Sequence, residues 1–387
     1  MKLLVFSDSH LGASRYNLSW FRHELQLVFD EVFQKANDLE VDGILFCGDL
    51  FDSPLASNND MVFAIRVIRS YNKPVILIVG NHDLQSSRPL DESPIQIINE
   101  SCDNVNVLHK DVDISVVYND VNLIGISYLS PLDFQEHTSH TSMLQQYYDR
   151  IDPNKINIAL FHQDLSGLNY SKYIPYTINT DDLEPFDFSL FGHYHNRIES
   201  DNYLFVGSTY PLSFKQAEQQ KGCYLLTVND KEVTYKFVPL TNHKHKLKEI
   251  IVDNLDENVC EMIEYLIDNA YDVIRLVFQI NEVDLPQATL LAKDLRKKYH
   301  KKLEKFMVDF NIIDRSIEEQ EHHDVEFKDM QQYTLAFANL LTKRYEYDKD
   351  FVIKALDILY NTEFSYKSES KQIEQAFKNL YPLIKEI

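Results

Sequence analysis

Residues 3–12 read LLVFSDSHLG, and this stretch decides the fold, because a run of four apolar residues ends abruptly on polar ones. The same arrangement returns at residues 44–52, ILFCGDLFD, and at residues 74–83, PVILIVGNHD. Between these runs, apolar residues recur with helical spacing over residues 20–38 and 59–70. Short buried strands that alternate with helices predict a layered α/β fold.

The middle of the chain changes character, since strand patterns follow one another there with little helix between them. One helix is predicted near residues 141–150. Strands are predicted at residues 105–108, 113–118, 121–127, 156–161, 188–191, 203–206, 223–228 and 233–240. Together with the first strands, they predict a two-sheet α/β sandwich that ends near residue 240.

A second pattern begins after residue 246. Strand, helix, strand, helix and strand are predicted at residues 247–252, 255–270, 273–280, 286–300 and 306–313. This order indicates a small β-α-β-α-β domain. An acidic stretch follows, and further helices are predicted at residues 329–345, 349–361 and 370–381. We therefore divide the chain into residues 1–242, 243–316 and 317–387.

Composition limits the classes of protein to which the chain can belong. It has 387 residues, of which 44% are apolar, and this is enough to fill a large core. No run approaches the ~20 apolar residues of a membrane-spanning helix, and the first apolar run is too short for a signal peptide. We expect an intracellular, cytoplasmic protein with no membrane partner. The four cysteines lie far apart, which favours reduced thiols over a zinc or redox pair.

The formal charge of −22 argues against a protein whose whole surface attracts nucleic acid. One basic cluster departs from this acidity, and its members are Lys293, Arg296, Lys297, Lys298, Lys301 and Lys302. A solvated helix face and a nucleic-acid contact give the same pattern, and the residues alone do not decide between these two interpretations.

Five polar pieces each follow directly on a predicted strand: Asp8-Ser9-His10, Gly48-Asp49, Gly80-Asn81-His82-Asp83, His162 and Gly192-His193-Tyr194-His195. Ligands bind beyond the carboxyl ends of strands in open α/β sheets, so we expect these pieces at one edge. Carboxylate, amide and imidazole donors in this mixture suit Mn, Fe or Zn ions better than Ca or Mg alone. Two ions can clamp a phosphate and activate a water, with Asp49 as the candidate bridge. Each piece alone is also typical of a turn, but the five together indicate a site.

This set of motifs resembles the calcineurin-like metallophosphoesterases and, more narrowly, the SbcD-type nucleases with their archaeal, eukaryotic and phage counterparts in break repair. The narrower resemblance depends on FSDSHLG at residues 6–12, GDLFD at residues 48–52 and GSTYPLSF at residues 207–214. It is specific over residues 1–215, agrees only in domain layout over residues 240–315, and is weak beyond. The implied fold is a calcineurin-like α/β sandwich, followed by a small capping domain and C-terminal helices.

The resemblance also implies a role for each matching residue. One metal ion is held by Asp8, His10 and His195, the other by Asn81, His162 and His193, and both by Asp49. His82 is implied to contact the scissile phosphate and to help protonate the leaving oxygen, without being a ligand. Some members carry a histidine where this chain has Asp52, so Asp52 is expected, like Asp83, to support the ligands from outside. The implied cofactors are two divalent ions, with Mn²⁺ first and Mg²⁺ as the alternative.

Partners follow from the same resemblance. The family's nuclease cuts DNA as a homodimer, together with an SbcC-type coiled-coil ABC ATPase. Residues 59–70 are the candidate dimer helix, although a helix that simply packs on the sheet has the same apolar stripe. The helices at residues 329–345 and 349–361 are the candidate docking site for the ATPase, and they can equally close against their own domain. The basic cluster is the candidate DNA contact of the capping domain.

The implied function is a manganese-dependent DNA nuclease that acts in break repair, recombination or end processing. Its implied activities are a 3′–5′ exonuclease on double-stranded DNA and an endonuclease on single strands. Two alternatives stay open: a phosphatase or small phosphodiesterase of the same fold, and a non-catalytic scaffold for the ATPase. The capping domain and the C-terminal helices argue against the first alternative, and the complete ligand set with His82 argues against the second.

Overall fold

The computed structural model describes residues 1–84, 89–137, 139–168, 177–229, 232–255 and 258–312. Met1–Ile313 form one compact unit, and the described strands in it are arranged in three sheets. No helix within the described ranges is both long enough and apolar enough to cross a membrane.

Two six-stranded sheets and one three-stranded sheet make up the fold. The strands are β1 (Lys2–Phe6), β2 (Gly43–Phe46), β3 (Val75–Ile78), β4 (Val105–Leu108), β5 (Ser115–Tyr118), β6 (Val121–Ile126), β7 (Ile156–Phe161), β8 (Phe188–Phe191), β9 (Ile198–Glu199), β10 (Tyr203–Phe205), β11 (Gly222–Asn229), β12 (Glu232–Pro239), β13 (Leu247–Val252), β14 (Val273–Ile280) and β15 (Lys305–Ile312). The first sheet has the order β12-β11-β1-β2-β3-β4, and the second β5-β6-β7-β8-β10-β9. The third sheet, β13-β14-β15, is parallel throughout.

The helices cover the outer faces of these sheets. They are α1 (Phe21–Asp38), α2 (Asn58–Ser70), α3 (Pro94–Ser101), α4 (Pro131–Glu136), α5 (His140–Tyr148), α6 (Val259–Asp268) and α7 (Leu285–Tyr299). Buried side chains of α1, α2 and α3 share one apolar cluster with the first sheet, and those of α5 share another with the second. Helices α6 and α7 share a separate cluster with the third sheet.

Strand β1 shows why the sheets pack face to face. Leu3 and Val5 belong to the cluster between the sheets, together with Leu160 of β7. Leu4 and Phe6 point the opposite way, into the cluster under α1, as the two-residue period of a strand requires. Burial on both faces explains the continuous apolar run in the sequence. Truncating one of these leucines to alanine should destabilise the fold by about 2–5 kcal/mol.

The segment that leads to the third sheet is held on α1 by two buried carboxylates. Glu31 accepts hydrogen bonds of 2.8 Å from the backbone N–H groups of Thr241 and Asn242. Glu24 accepts one of 2.7 Å from the backbone N–H of Lys244. Because charged acceptors make the stronger hydrogen bonds, this connection is firmly fixed.

The predicted fold class is confirmed: a two-sheet α/β sandwich precedes a small unit in which strands and helices alternate. The sequence pattern missed α3 and α4, which are only 8 and 6 residues long and so show little apolar periodicity. Both begin at a serine that caps the first turn and a proline that follows it, Ser93-Pro94 and Ser130-Pro131. The predicted C-terminal helices lie outside the described residues, and the division into residues 1–242, 243–316 and 317–387 stays a prediction.

Candidate metal centre

The carboxyl ends of strands from both large sheets carry the predicted donors. Asp8 follows β1, Asp49 follows β2 and Asn81 follows β3, while His162 and His193 follow β7 and β8 of the second sheet. Parallel strands point their carboxyl ends the same way, which collects these loops along one edge. Asp8, Asp49 and His162 are at most 1% exposed, so this side of the centre is buried, while the side chains of His193 and His195 are 26% and 23% exposed.

Four of the predicted ligands have a left-handed backbone. The angle φ is 51° at Asp8, 44° at His10, 59° at Asp49 and 75° at His193. Only nine described residues other than glycine have a positive φ, so nearly half of them belong to this one cluster. Such a conformation costs on the order of 1–3 kcal/mol and persists only where the surrounding structure holds it. The strained loops turn the donor side chains toward a common centre.

Two glycines allow the loops to approach closely. A Cβ atom on Gly80 would lie 2.0 Å from Asp49 Oδ1, and one on Gly192 would lie 2.1 Å from the carbonyl oxygen of Cys47. Neither position can therefore carry a side chain unless the loops move apart.

Asp8, His10 and His195 form the first group of donors. The Nε2 atoms of His10 and His195 lie 3.2 Å apart. Asp8 Oδ1 lies 3.9 Å from His10 Nε2 and 3.6 Å from His195 Nε2. These are the three residues that the resemblance assigns to one metal ion, and the structure brings their donor atoms together.

Asn81, His162 and His193 form the second group, with Asp49 between the two. Asn81 Oδ1 lies 3.1 Å from His162 Nε2 and 2.9 Å from His193 Nδ1. Asp49 Oδ2 lies 3.3 Å from His162 Nε2 in this group and 3.6 Å from His10 Nε2 in the first. One carboxylate oxygen thus faces both groups.

These separations fit divalent ions. Donor atoms at ~2.1 Å from one ion are ~3.0 Å apart in an octahedron and ~3.4 Å apart in a tetrahedron. The donor pairs here lie between 2.9 and 3.9 Å apart, close to both geometries. Imidazole, amide and carboxylate donors in this ratio suit Mn, Fe or Zn.

The electrostatics of the centre also favour cations. Burial lowers the pKa of His162, but the Asp49 carboxylate outweighs it and raises that pKa to about 9. Burial raises the pKa of Asp49, yet the nearby His162 and His10 outweigh it and hold that pKa well below its usual range. The carboxylates thus draw protons onto His162 and His10, whereas burial lowers the pKa of His195 to about 4. Divalent ions would supply the same positive charge and displace those protons.

His162 and His10 each have a polar neighbour at the ring nitrogen that faces away from the other donors. His162 Nδ1 lies 2.7 Å from the carbonyl oxygen of Cys47. His10 Nδ1 lies 3.3 Å from Asp52 Oδ1, and that carboxylate also accepts hydrogen bonds of 2.7 and 3.2 Å from Arg15. An outer acceptor of this kind orients an imidazole and leaves its inner nitrogen free to bind metal.

His82 lies beside the first group of donors. Its ring centroid is 4.8 Å from that of His10, and its Nδ1 lies 2.9 Å from the backbone carbonyl oxygen of Asp52. His10, Asp52 and His82 also place donor atoms within 4.8 Å of one another. Because Arg15 already occupies the Asp52 carboxylate, a further cation at that point would meet a positive charge.

Asp83 ties two of the donor loops together. Its buried carboxylate accepts hydrogen bonds from the backbone N–H groups of Leu50, Phe51 and Gly80, at 3.2, 2.9 and 3.1 Å. Burial and the negative charge of Asp49 raise its pKa to about 7. Its role in the structure is to hold the loop after β2 against the loop after β3.

The predicted basic cluster lies on a different element, α7 and the turn after it, and all six of its side chains are exposed. Two of its members are already engaged. Arg296 Nη2 donates to the carbonyl oxygen of Val308 at 2.7 Å, and Lys298 Nζ lies 2.9 Å from Glu264 Oε1. The cluster is a surface feature, unlike the buried donors.

Sequence reasoning missed three polar residues around the donors. Besides Gln216, whose Nε2 lies 2.9 Å from His195 Nδ1, these are Arg15, which pairs with Asp52, Asp164, which lies 3.2 Å from His193, and Lys221. The buried Lys221 donates a hydrogen bond of 2.6 Å to the carbonyl oxygen of His195. Asp164 follows His162 by two residues, and this spacing is the one signal that could have indicated it.

Comparison with known proteins gives a family and relatives. The model of the family described as calcineurin-like phosphoesterase matches residues 1–197. The DNA double-strand break repair protein Mre11 of Sulfolobus acidocaldarius is 26% identical over 290 residues, which cover 70% of this chain and 71% of that protein. The Mre11 protein of Sulfurisphaera tokodaii is 30% identical over 205 residues, 51% of this chain, and the match spans about half of that relative, 49%.

Two solved structures resemble the chain more distantly. A purple acid phosphatase, PPD1, from yellow lupin seeds has a TM-score of 0.39 at 12% identity, covering 63% of this chain and 52% of its own. A dimetal phosphatase from Danio rerio has a TM-score of 0.39 at 10% identity, and the match covers 62% of this chain and 96% of that one. Similarity at this score supports no inference about activity.

Proposed function

The chain belongs to the calcineurin-like phosphoesterase family, and from that premise we propose that it is a metal-dependent nuclease that cuts DNA in break repair. The observation that carries the proposal is the position of Asp49, with one carboxylate oxygen facing both groups of donors. The extended similarity to Mre11 proteins, over 70% of this chain in one case, supports DNA as the substrate.

We assign the donors as two metal sites. Asp8, His10 and His195 would hold one ion, Asn81, His162 and His193 would hold the other, and Asp49 would contribute to both sites. Bound there, the two ions would neutralise the phosphate charge and lower the pKa of a water for attack. The choice of Mn²⁺ is a proposal that rests on the mixed imidazole, amide and carboxylate donors, with Mg²⁺ as the alternative.

His82 supplies the proton for the leaving oxygen in this proposal. Its Nδ1 faces the Asp52 carbonyl oxygen, a pure acceptor, so that nitrogen keeps its hydrogen. The proton for the leaving oxygen then comes from Nε2 of the imidazolium form, in which both ring nitrogens carry a hydrogen, and the ring is left neutral with its hydrogen on Nδ1. An imidazole is the side chain that most often transfers a proton in this way. Asp52 and Asp83 hold His82, His10 and the loops in place without touching the substrate.

DNA is held by the basic cluster on α7 in the same proposal. Lys293, Lys297 and their neighbours offer exposed positive charge in a chain whose formal charge is −22. Phosphate contacts of this kind are local and depend on salt, so an acidic protein can still make them. The third sheet with α6 and α7 would then act as a capping domain over the cleavage site.

The partners are also proposals. A homodimer through α2 is supported by Val62, which is 53% exposed on that helix, although Ala64 and Ile68 of the same helix pack into the core. A coiled-coil ABC ATPase is inferred from the family resemblance, with residues 329–345 and 349–361 as the docking segments. The 3′–5′ polarity of the exonuclease and the cleavage of single strands are also inferred from the family resemblance.

The test is cleavage of double-stranded and single-stranded DNA by the purified chain with Mn²⁺, Mg²⁺ or EDTA, beside hydrolysis of a chromogenic phosphomonoester. We expect degradation of DNA with Mn²⁺, less with Mg²⁺ and none with EDTA. Hydrolysis of the phosphomonoester without DNA cleavage, also after addition of the ATPase, would contradict the proposal and favour a phosphatase. Inactivity on both substrates with either ion would favour a scaffold.

A further inference from the structure

His193 is held differently from the other histidines of the centre. His10, His162 and His195 turn Nε2 toward the other donors, whereas His193 turns Nδ1, which lies 2.9 Å from Asn81 Oδ1. Its Nε2 therefore points outward. The His193 side chain is also 26% exposed, and its backbone has a φ of 75°, so packing alone holds it weakly.

Asp164 meets that outward nitrogen. Its Oδ2 lies 3.2 Å from His193 Nε2, and its side chain is only 9% exposed. The Asp164 backbone is fixed in turn, because its carbonyl oxygen accepts a hydrogen bond of 2.9 Å from the N–H of Ile178. The Tyr128 ring lies against the imidazole, with centroids 5.8 Å apart. His193 is thus clamped by an acidic acceptor and an aromatic ring.

We propose that Asp164 is a positioning residue that keeps the hydrogen of the His193 imidazole on Nε2 and so presents the Nδ1 lone pair to a divalent ion. This inference rests on the proposed function, since the ion is the one assigned to Asn81, His162 and His193. No residue role at position 164 follows from the motifs in the sequence.

The reason is the arrangement of donors and acceptors. A neutral imidazole has one N–H donor and one acceptor nitrogen. With the hydrogen on Nδ1, the ring would bond to Asn81 Oδ1 and occupy the place of the ion, while Nε2 would set its lone pair against the Asp164 carboxylate. With the hydrogen on Nε2, the carboxylate accepts it and the Nδ1 lone pair is free for the ion. His162 shows the same arrangement, with the Cys47 carbonyl oxygen as its outer acceptor.

The test is titration of the full chain with Mn²⁺ in a calorimeter, for the wild type, Asp164→Leu and Asp164→Asn. We expect two ions per wild-type chain. Asp164→Leu removes the acceptor and keeps the branched shape of the side chain. One of the two Mn²⁺ affinities should then fall by about 10–100-fold, and the other should equal that of the wild type. Asp164→Asn should lie between them, because its amide oxygen still accepts a hydrogen bond. At two Mn²⁺ per chain, the spin coupling between the ions that electron paramagnetic resonance detects should persist in the wild type and weaken in Asp164→Leu.

A matched control is Asp182→Leu. Asp182 pairs with His140 at 2.9 Å, as Asp164 pairs with His193, but neither residue belongs to the donor groups. Its Mn²⁺ affinities should equal those of the wild type. Unchanged affinities in Asp164→Leu, or an equal loss at both sites with a lower melting temperature, would overturn the positioning role alone. A wild type that binds no Mn²⁺ would overturn the proposed function as well.

Imidazole ¹⁵N resonances of the wild type provide a reading that needs no variant, should Asp164→Leu not fold. The Mg²⁺-loaded chain should show His193 protonated at Nε2. Protonation at Nδ1 would contradict the proposal.

Discussion

In the donor loops the charges are buried, whereas on α7 they stand in solvent. The side chains of Asp8 and His10 are 0% exposed and that of Asp49 is 2% exposed, each within 4 Å of another ionisable group. On α7, Lys298 is 45% exposed even though it pairs with Glu264. The first region concentrates charge in little space, and the second spreads it over a surface.

The difference predicts how each region responds to mutation. Buried charges that share partners are strongly coupled, so removing one leaves others uncompensated and the effect is large. Exposed charges act almost independently and are screened by salt, so each effect is small and the effects add. Cleavage should therefore depend on single residues of the donor loops, and DNA affinity on the sum of several lysines.

Asp49→Ala should have the largest effect. The substitution removes the oxygen that faces both donor groups, so both ions should be lost and DNA cleavage should fall to background. Cleavage rates and Mn²⁺ stoichiometry measure this directly. Asp38→Ala, at the exposed end of α1, is the control. If Asp49→Ala still bound two ions with wild-type affinity, the charges of the donor loops would not be coupled.

His82→Ala should separate chemistry from metal binding. His82 is implied to transfer a proton without holding an ion, so cleavage should slow by about 10²–10⁴-fold. Mn²⁺ stoichiometry and affinity should stay as in the wild type. Loss of an ion in this variant would mean that His82 is itself a ligand, in the group that it forms with His10 and Asp52.

Metal removal should destabilise the fold measurably. Each ion that binds only the folded chain should stabilise it by about 2.7 kcal/mol at a free concentration 100 times its dissociation constant. For a chain of 387 residues that amount should raise the melting temperature by roughly 3–4 °C per ion. Scanning calorimetry with Mn²⁺ and then EDTA measures the shift. The shift should be absent in Asp49→Ala, and its presence there would point to a metal site elsewhere.

Single substitutions on α7 should have the smallest effects. The described part of the chain gives Lys293 and Lys297 no ion-pair partner, whereas Lys298 is engaged by Glu264. Lys293→Ala and Lys297→Ala should each weaken DNA binding a few-fold and reduce the salt slope by about 0.9 for each phosphate that is no longer neutralised. Lys298→Ala should change it less, and Lys110→Ala, which removes only a pair with Asp133, should not change it. Equal effects at all four positions would indicate a general charge effect rather than a binding face.

The sequence predicts what depends on local pattern. The runs before Asp8, Asp49 and Asn81 mark strand ends, and the geometry of parallel sheets collects those ends at one edge. The contact of Arg15 with Asp52 joins residues 37 apart, and that of Asp164 with His193 depends on how β7 and β8 pair. Such contacts arise from tertiary packing, and no periodicity or composition indicates them. Short helices such as α3 are missed for a different reason. Their signal lies in the capping residues and not in the spacing of apolar residues.

The left-handed backbone at His10 and His193 has a consequence for how such a protein changes over generations. Glycine at either position would relieve strain on the order of 1 kcal/mol and would remove a donor at the same time. Selection for stability and selection for cleavage therefore pull these positions in opposite directions. In a duplicated copy that is no longer required to cut, we therefore expect glycine or asparagine at these two positions.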